Sequence, residues 1–178
     1  MEFKFIETNG ITLRAAVEGD GPLVIMVHGC PESWFSWRHQ IPVIAEAGYK
    51  VVAIDVRGYG GSDKPHAIEE YTLKKLSDDV VGVIDFFGEE QAILFGHDWG
   101  APIVWYTSLL NEKRVSAVAG LSVPYFPQGD VSPMDAFEAI FEDKFFYMIY
   151  FQEEGVAESE FEPNFCLLYT SPSPRDLP

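Results

Sequence analysis

Four apolar runs, PLVIMV at 22–27, YKVVAI at 49–54, QAILF at 91–95 and VSAVAGLS at 115–122, are bounded by turn residues and too uniformly apolar to leave one face in water. Runs of this kind suit strands covered on both faces, the condition of a parallel sheet with helices on either side. Between the second and third, Leu73, Leu76, Val80, Val83 and Phe87 recur at spacings of three and four, which predicts an amphipathic crossover helix with Thr72 as N-cap and Gly88 just past its end. The segments 37–47 and 101–110 can serve similarly, so strands and helices alternate and the expected fold class is α/β with a mostly parallel sheet. Ahead of these runs, 3–8 and 11–17 roughly alternate apolar and polar residues around Asn9-Gly10, a dipeptide that favours a two-residue turn. An antiparallel hairpin is therefore expected to open the sheet.

The chain has 178 residues, 47% hydrophobic and 22% charged, enough for one sizeable core. Its formal net charge of -16 disfavours nucleic acid and anionic membrane surfaces, both of which would repel it, and leaves a small or neutral ligand as the expected partner. Between Asp130 and Glu162, Lys144 is the only basic residue among ten carboxylates, and that cluster reads as a solvated helical face. Cys30 and Cys166 are too few and too dispersed for a disulfide framework or a cysteine metal site, so no metal is expected and a reducing compartment fits best. MEFKFIETNG lacks an apolar signal core, and no run is long enough to span a bilayer. A cytoplasmic location without membrane insertion is the expectation.

From Pro124 the texture changes. YFPQGDVSP reads as a loop, MDAFEAIFEDKFFYMIYF as one aromatic-rich helical stretch, and VAESEFEPN as a further short helix. Such an excursion after a strand is a lid candidate, because open α/β sheets bind ligands beyond the carboxyl ends of their strands.

Gly96-His97-Asp98-Trp99-Gly100 falls between the third apolar run and the helix that follows it, and has the form of a nucleophile elbow. The turn is so sharp that only small residues fit beside it, and it lifts the central side chain clear of the sheet. Here that side chain is a carboxylate. Attack on an ester would give an unstable anhydride, whereas displacement at saturated carbon gives an alkyl ester on the enzyme. Taken alone the pattern is weak, since an aspartate in a strand-to-helix turn is often an N-cap. His28-Gly29-Cys30-Pro31 after the first parallel run adds weight, because a second loop there can direct a backbone N–H at the same place. The expected oxyanion donors are the amides of Cys30 and Trp99, each worth roughly 3 kcal/mol in the transition state.

HGCPESWFSWRHQIP, DVRGYGGSDKP and GHDWGAPIVWY, in this order, closely resemble the epoxide hydrolases of the α/β-hydrolase fold, and the resemblance runs from the first residues to about 165. DVRGYGGSDKP is the least discriminating of the three, while GHDWG selects the branch with an aspartate nucleophile. The resemblance implies that Asp98 attacks an epoxide carbon. It also implies that Tyr147 is the first of two lid tyrosines that hydrogen-bond the epoxide oxygen, a role a phenol can fill while protonated at neutral pH. Substrate and water are the implied small-molecule partners, with no cofactor. His28 and His97 are read as organising their loops, Asp55 and Arg57 as holding theirs, and His39 and His66 as solvent-exposed. Cys30 stands where relatives carry a bulky apolar residue, which leaves its amide role intact and puts the pocket shape in question.

The resemblance also implies a histidine that activates water, an acid that orients it and a second lid tyrosine, all from late segments that do not occur among these residues; the four histidines all occur by residue 97. The expected organisation is thus an incomplete hydrolase: 1–123 the N-terminal part of the core domain, 124–165 the start of a helical lid, and 166–178 a foreign tail. CLLYTSPSPRD in that tail resembles the in-frame translation of a sequencing-library adapter. By itself such a chain is expected to fold poorly and to show no turnover. Two other functions compete: a dehalogenase using the same aspartate with Trp99 holding halide, and a non-catalytic binding protein on a hydrolase scaffold.

Overall fold

The computed structural model describes residues 1–127, 129–142 and 144–164. Chain contacts divide the molecule into two units, Met1–Phe126 and Pro127–Pro178. The tail expected from 166 lies outside the described residues.

In the first unit, β1 (Glu2–Thr8) and β2 (Ile11–Glu18) form the hairpin. Asn9 and Gly10 take φ of 45° and 77°, the two positive values that a tight turn with the strands' own twist requires. β3 (Leu23–Val27), β4 (Lys50–Ile54), β5 (Ala92–His97) and β6 (Val115–Leu121) coincide with the four apolar runs. The sheet order is β1-β2-β4-β3-β5-β6, with β1 and β2 antiparallel and the other neighbours parallel from β4 to β6. β3 therefore has its sequence successor β4 on one side and β5 on the other. The strand order reverses there, at the carboxyl ends of β3 and β5, which is where open α/β sheets bind their ligands.

Both faces of the sheet are covered. One core joins Ile25, Val27, Ile54 and Leu94 to Val80, Val83 and Ile84 of α2 (Leu73–Phe86) and to Ile103 and Val104 of α3 (Gly100–Leu110). The opposite face packs Val24, Met26, Val51 and Ala53 against Trp37 and Ile41. This two-sided cover is why the strands carry apolar residues without alternation: every residue of β3 is buried. Thr72 caps α2 as expected, accepting from the Lys75 amide, and Gly88 follows the helix with φ 71°.

Two helical expectations are corrected. The segment 37–47 is a 3-10 turn, Trp34–Trp37, followed by a separate helix α1 (Gln40–Glu46). Ser33 caps the turn by accepting from the Phe35 amide, and Pro42 sits in the first turn of α1, where its missing N–H costs no intrahelical bond. The stretch at 134–151 is likewise two helices, α4 (Pro133–Phe141) and α5 (Tyr147–Tyr150), with Glu142 between them at φ 36°. Glu138 and Glu142 at the end of α4, with no basic residue in its last turn, oppose the negative end of the helix dipole and favour a break there. Within this second unit, Phe146 stacks on Phe141 with ring centroids 4.0 Å apart, and α6 (Val156–Phe161) begins after Gly155, whose N–H donates to Glu158 Oε2.

Candidate active site

Three loops, following β3, β4 and β5, converge at the carboxyl end of the sheet. The third supplies Asp98. Only Asp98 and Trp99 separate the end of β5 from the start of α3, and the turn is held by the Asp98 N–H donating to the Leu121 carbonyl (3.2 Å) and the Ala101 N–H donating to the Asp98 carbonyl (3.0 Å). Asp98 is forced to φ 52°, a left-handed conformation that costs a non-glycine residue of order 1–3 kcal/mol and concentrates at functional sites. The elbow is tight on every side. A Cβ on Gly96 would stand 2.2 Å from the Gly100 carbonyl oxygen, and one on Gly100 would stand 2.1 Å from that of Val27. The glycines on either side of Asp98 are thus demanded by contact with backbone, as the spacing of the motif suggests.

The loop after β3 faces the carboxylate. The Cys30 N–H donates to Asp98 Oδ1 at 2.9 Å, which fixes one carboxylate oxygen. Gly29 lies so close that a Cβ there would fall 2.3 Å from Oδ1. Trp99 opens α3 as its N-cap, half-exposed; among the described residues its amide is not seen donating to the Asp98 carboxylate.

Glu32, which sequence reasoning passed over inside HGCPESW, closes this loop. Its N–H donates to the Gly29 carbonyl (3.1 Å), while its Oε2 accepts from the Gly29 N–H (3.2 Å) and lies 3.3 Å from His97 Nδ1. One carboxylate thereby ties the β3 loop to the last residue of β5. The signal that could have found it is a carboxylate three residues after a glycine whose amide a tight turn leaves unpaired.

His28 is buried, with Nδ1 2.7 Å from the Gly29 carbonyl and Nε2 accepting from the Val56 N–H at 2.9 Å. Both ring nitrogens are committed, and burial pushes its pKa below the ordinary histidine value despite the Gly29 carbonyl. It is a neutral strut between the loops after β3 and β4. His39 and His66 are exposed.

The loop after β4 supplies the second residue missed. Tyr59 sets its ring edge-on to His28, centroids 5.2 Å apart, and its N–H donates to the Val56 carbonyl at 2.8 Å. Burial raises the pKa of the phenol, and the neighbouring Cys30 side chain and Asp98 charge raise it further. Beneath it, buried Asp55 accepts from Arg14 Nε (2.6 Å) and from the amides of Trp34 and Gly61. Buried Arg57 grips both oxygens of Asp79 at 2.8 and 2.7 Å and reaches Glu70 at 2.7 Å. These pairs anchor the loop to β2, to α2 and to the turn that precedes it.

Tyr147 lies at the start of α5, in the second unit, about half-exposed, with its ring against those of Phe146 and Phe151. Among the described residues no group of three or more His, Cys, Asp or Glu side chains is arranged to hold a metal ion, and no helix is long and apolar enough to cross a membrane.

Residues 22–173 match the sequence pattern of the α/β hydrolase fold. The chain belongs to that family. This α/β hydrolase is 51% identical over 159 residues to "Epoxide hydrolase A" of Mycobacterium tuberculosis, covering 88% of the chain and 49% of that protein. It is 48% identical over 156 residues to "Bifunctional epoxide hydrolase 2" of Sus scrofa, covering 87% of the chain and 28% of that protein. Among solved structures, Epoxide Hydrolase A from Mycobacterium thermoresistibile superposes with a TM-score of 0.89 at 50% identity, over 92% of this chain and 52% of that one. The α/β hydrolase chain thus spans about half the length, or less, of the curated relatives it matches.

Proposed function

We propose that the whole protein opens an epoxide to a vicinal diol through an ester on Asp98. The observation that carries this reading is the 2.9 Å hydrogen bond from the Cys30 N–H to Asp98 Oδ1, made at an elbow that holds Asp98 at φ 52°. The names of the relatives support the reaction class. One oxygen of the carboxylate is spoken for, and the other is the nucleophile.

In the first step Oδ2 attacks a ring carbon, the carbon–oxygen bond of the epoxide breaks, and the departing oxygen takes a proton from the Tyr147 phenol. In the second, water adds to Asp98 Cγ while a base removes its proton. Negative charge then develops on Oδ1, the atom already facing the Cys30 amide, with Trp99 as the second donor. Collapse of this oxyanion breaks the bond between Cγ and the ester oxygen, which leaves with the diol after protonation. A preorganised donor strengthens as the charge grows, which is where such groups contribute most. No metal or organic cofactor enters.

In domain terms, residues 1–123 are read as the N-terminal part of the hydrolase core and 124–165 as the start of the lid. Among the described residues none of the four histidines hydrogen-bonds Asp98, since His28 is committed at both nitrogens and His97 faces Glu32. Any folded portion that the 178 residues form by themselves is therefore expected to stop at the ester. Intact mass analysis after incubation with an epoxide tests this: one substrate mass per chain, on the peptide containing Asp98, and none in Asp98→Asn. Sustained diol release by the 178 residues would contradict the arrest. Chloride or bromide release from a haloalkane without diol formation would move the reading to a dehalogenase, and no labelling in the full-length protein would leave a binding role.

A further inference from the structure

A non-glycine residue keeps a left-handed backbone only where its surroundings leave it no alternative. For Asp98 one of those surroundings is the Leu121 carbonyl, which accepts the Asp98 N–H at 3.2 Å. Leu121 is the last residue of β6, and its pairing with β5 ends there, beside His97. Ser122 then turns the chain away at φ 70°, again left-handed and again without glycine's freedom. Contacts beyond the sheet ladder must hold this exit, or the acceptor of the Asp98 amide is free to swing.

Trp105 holds it on either side of Leu121. Its Nε1–H donates to the Val123 carbonyl at 3.1 Å, just past Leu121. Its indole lies against Gly120, just before Leu121: a Cβ on Gly120 would fall 2.5 Å from Cε2 and Cζ2 of the ring and 2.6 Å from Nε1. The ring of Tyr125 meets the indole edge-on, with centroids 6.3 Å apart. Trp105 belongs to α3, the helix that the Asp98 turn itself starts. The contacts close a circuit, from Asp98 to Leu121, along the chain to Val123, and through Trp105 and α3 back to the turn.

We propose that Trp105 is a positioning residue for Asp98: by gripping Val123 through its indole N–H, it keeps the Leu121 carbonyl where the Asp98 amide needs it. The proposal rests on the ester mechanism given above. The hold is on the backbone of the nucleophile, so it sets the line along which Oδ2 meets the epoxide carbon. Misplacement by about 1 Å costs on the order of 100-fold, so a turn loosened by the loss of one hydrogen bond is expected to slow ester formation on the order of tenfold.

The test uses the full-length protein with Trp105→benzothienylalanine, which puts sulfur in place of the indole N–H and keeps the shape of the ring system. Trp105→Phe, which loses the same N–H, is the second variant. Single-turnover ester formation and hydrogen exchange of the Asp98 amide are measured in each. Both variants are expected to form ester on the order of tenfold more slowly, with the half-saturating epoxide concentration within about twofold of the parent's. The Asp98 amide is expected to exchange on the order of tenfold faster, while the amides of β3 keep their protection. A normal rate of ester formation in the benzothienylalanine protein would show that the indole only fills space, and would overturn the proposal. Slowing without faster exchange at Asp98 would overturn it too, because the effect would then not pass through the Leu121 contact. Asp98→Asn serves as the control: ester formation persisting in D98N overturns the nucleophile itself, and the positioning role with it, whereas D98N inactivity beside a normal benzothienylalanine protein overturns Trp105 alone.

Discussion

The Cys30 N–H and Asp98 Oδ1 lie 2.9 Å apart although 68 residues separate them in the chain. The contact exists because β3 and β5 are parallel neighbours whose ends are in register, Val27 beside Gly96, so the loops that leave them emerge side by side. A donor and a carboxylate on adjacent strand ends need no lid to find each other. What remains is how tightly the pair is held, and the first prediction addresses that.

Gly29→Ala is expected to displace the Asp98 carboxylate and strain its elbow. The new Cβ would arrive 2.3 Å from Asp98 Oδ1 and 2.4 Å from its Cβ, so both the carboxylate and the elbow that carries it must shift. A displacement of about 1 Å at a reacting atom costs on the order of 100-fold. The full-length variant should keep its circular dichroism spectrum while kcat/KM falls by at least about that factor. Activity near that of the unsubstituted protein would show that the carboxylate tolerates displacement.

Gly100→Ala should fail differently. Its Cβ would meet the Val27 carbonyl oxygen at 2.1 Å and that of His28 at 2.8 Å, backbone atoms in the centre of the sheet that cannot turn aside. The expected outcome is a loss of stability at the large end of the range for single substitutions, about 3 kcal/mol or more. Urea unfolding of the variant measures it, and a midpoint unchanged from the parent would contradict the packing described.

Arg57→Met leaves Asp79 buried without its charged partner, with only the Asn9 side-chain amide, among the described residues, still donating to it. Asp79 is 2% exposed, so its charge cannot be returned to water without moving α2, and removal of one member of such a pair costs about 3–5 kcal/mol. Adding Asp79→Leu should recover much of that loss, since two apolar groups in place of a buried pair are often neutral. Additive losses in the double variant would show that the two residues act independently.

His28 makes stability depend on pH in the acid direction. Its folded pKa is lowered from 6.5, chiefly by burial, so below about pH 6.5 the unfolded chain binds a proton that the folded chain refuses. Stability is then fully present above the unfolded pKa and declines as the pH falls through the lower folded one. Proton NMR of the His28 ring should show a midpoint below that of a histidine in an unstructured peptide. A midpoint at or above 6.5 would contradict the commitment of both ring nitrogens.

Much of this site is visible in the sequence because its chemistry is local. An aspartate between two glycines after an apolar run can be read without knowing the fold, since the elbow is a matter of sterics over five residues. Asn9-Gly10 and Thr72 are equally local, and both act as their side chains predict. Glu32 and Tyr59 were not legible. Their roles depend on partners on other segments, His97 for one and His28 for the other, and no periodicity records which loops will be neighbours. The break at Glu142 escaped for another reason: the apolar spacing continues through it, while the charges that oppose the helix end carry no periodic signal.

The most direct test of the Asp98 ester is a single turnover of the full-length protein in oxygen-18 water, followed by mass analysis of the diol and of the peptide containing Asp98. If Oδ2 attacks the epoxide and water attacks Cγ, the diol of that first turnover carries ordinary oxygen and the heavy atom is found in the Asp98 carboxylate. Heavy oxygen in the diol with an unlabelled Asp98 would mean that water opens the ring directly and that the carboxylate is not the nucleophile.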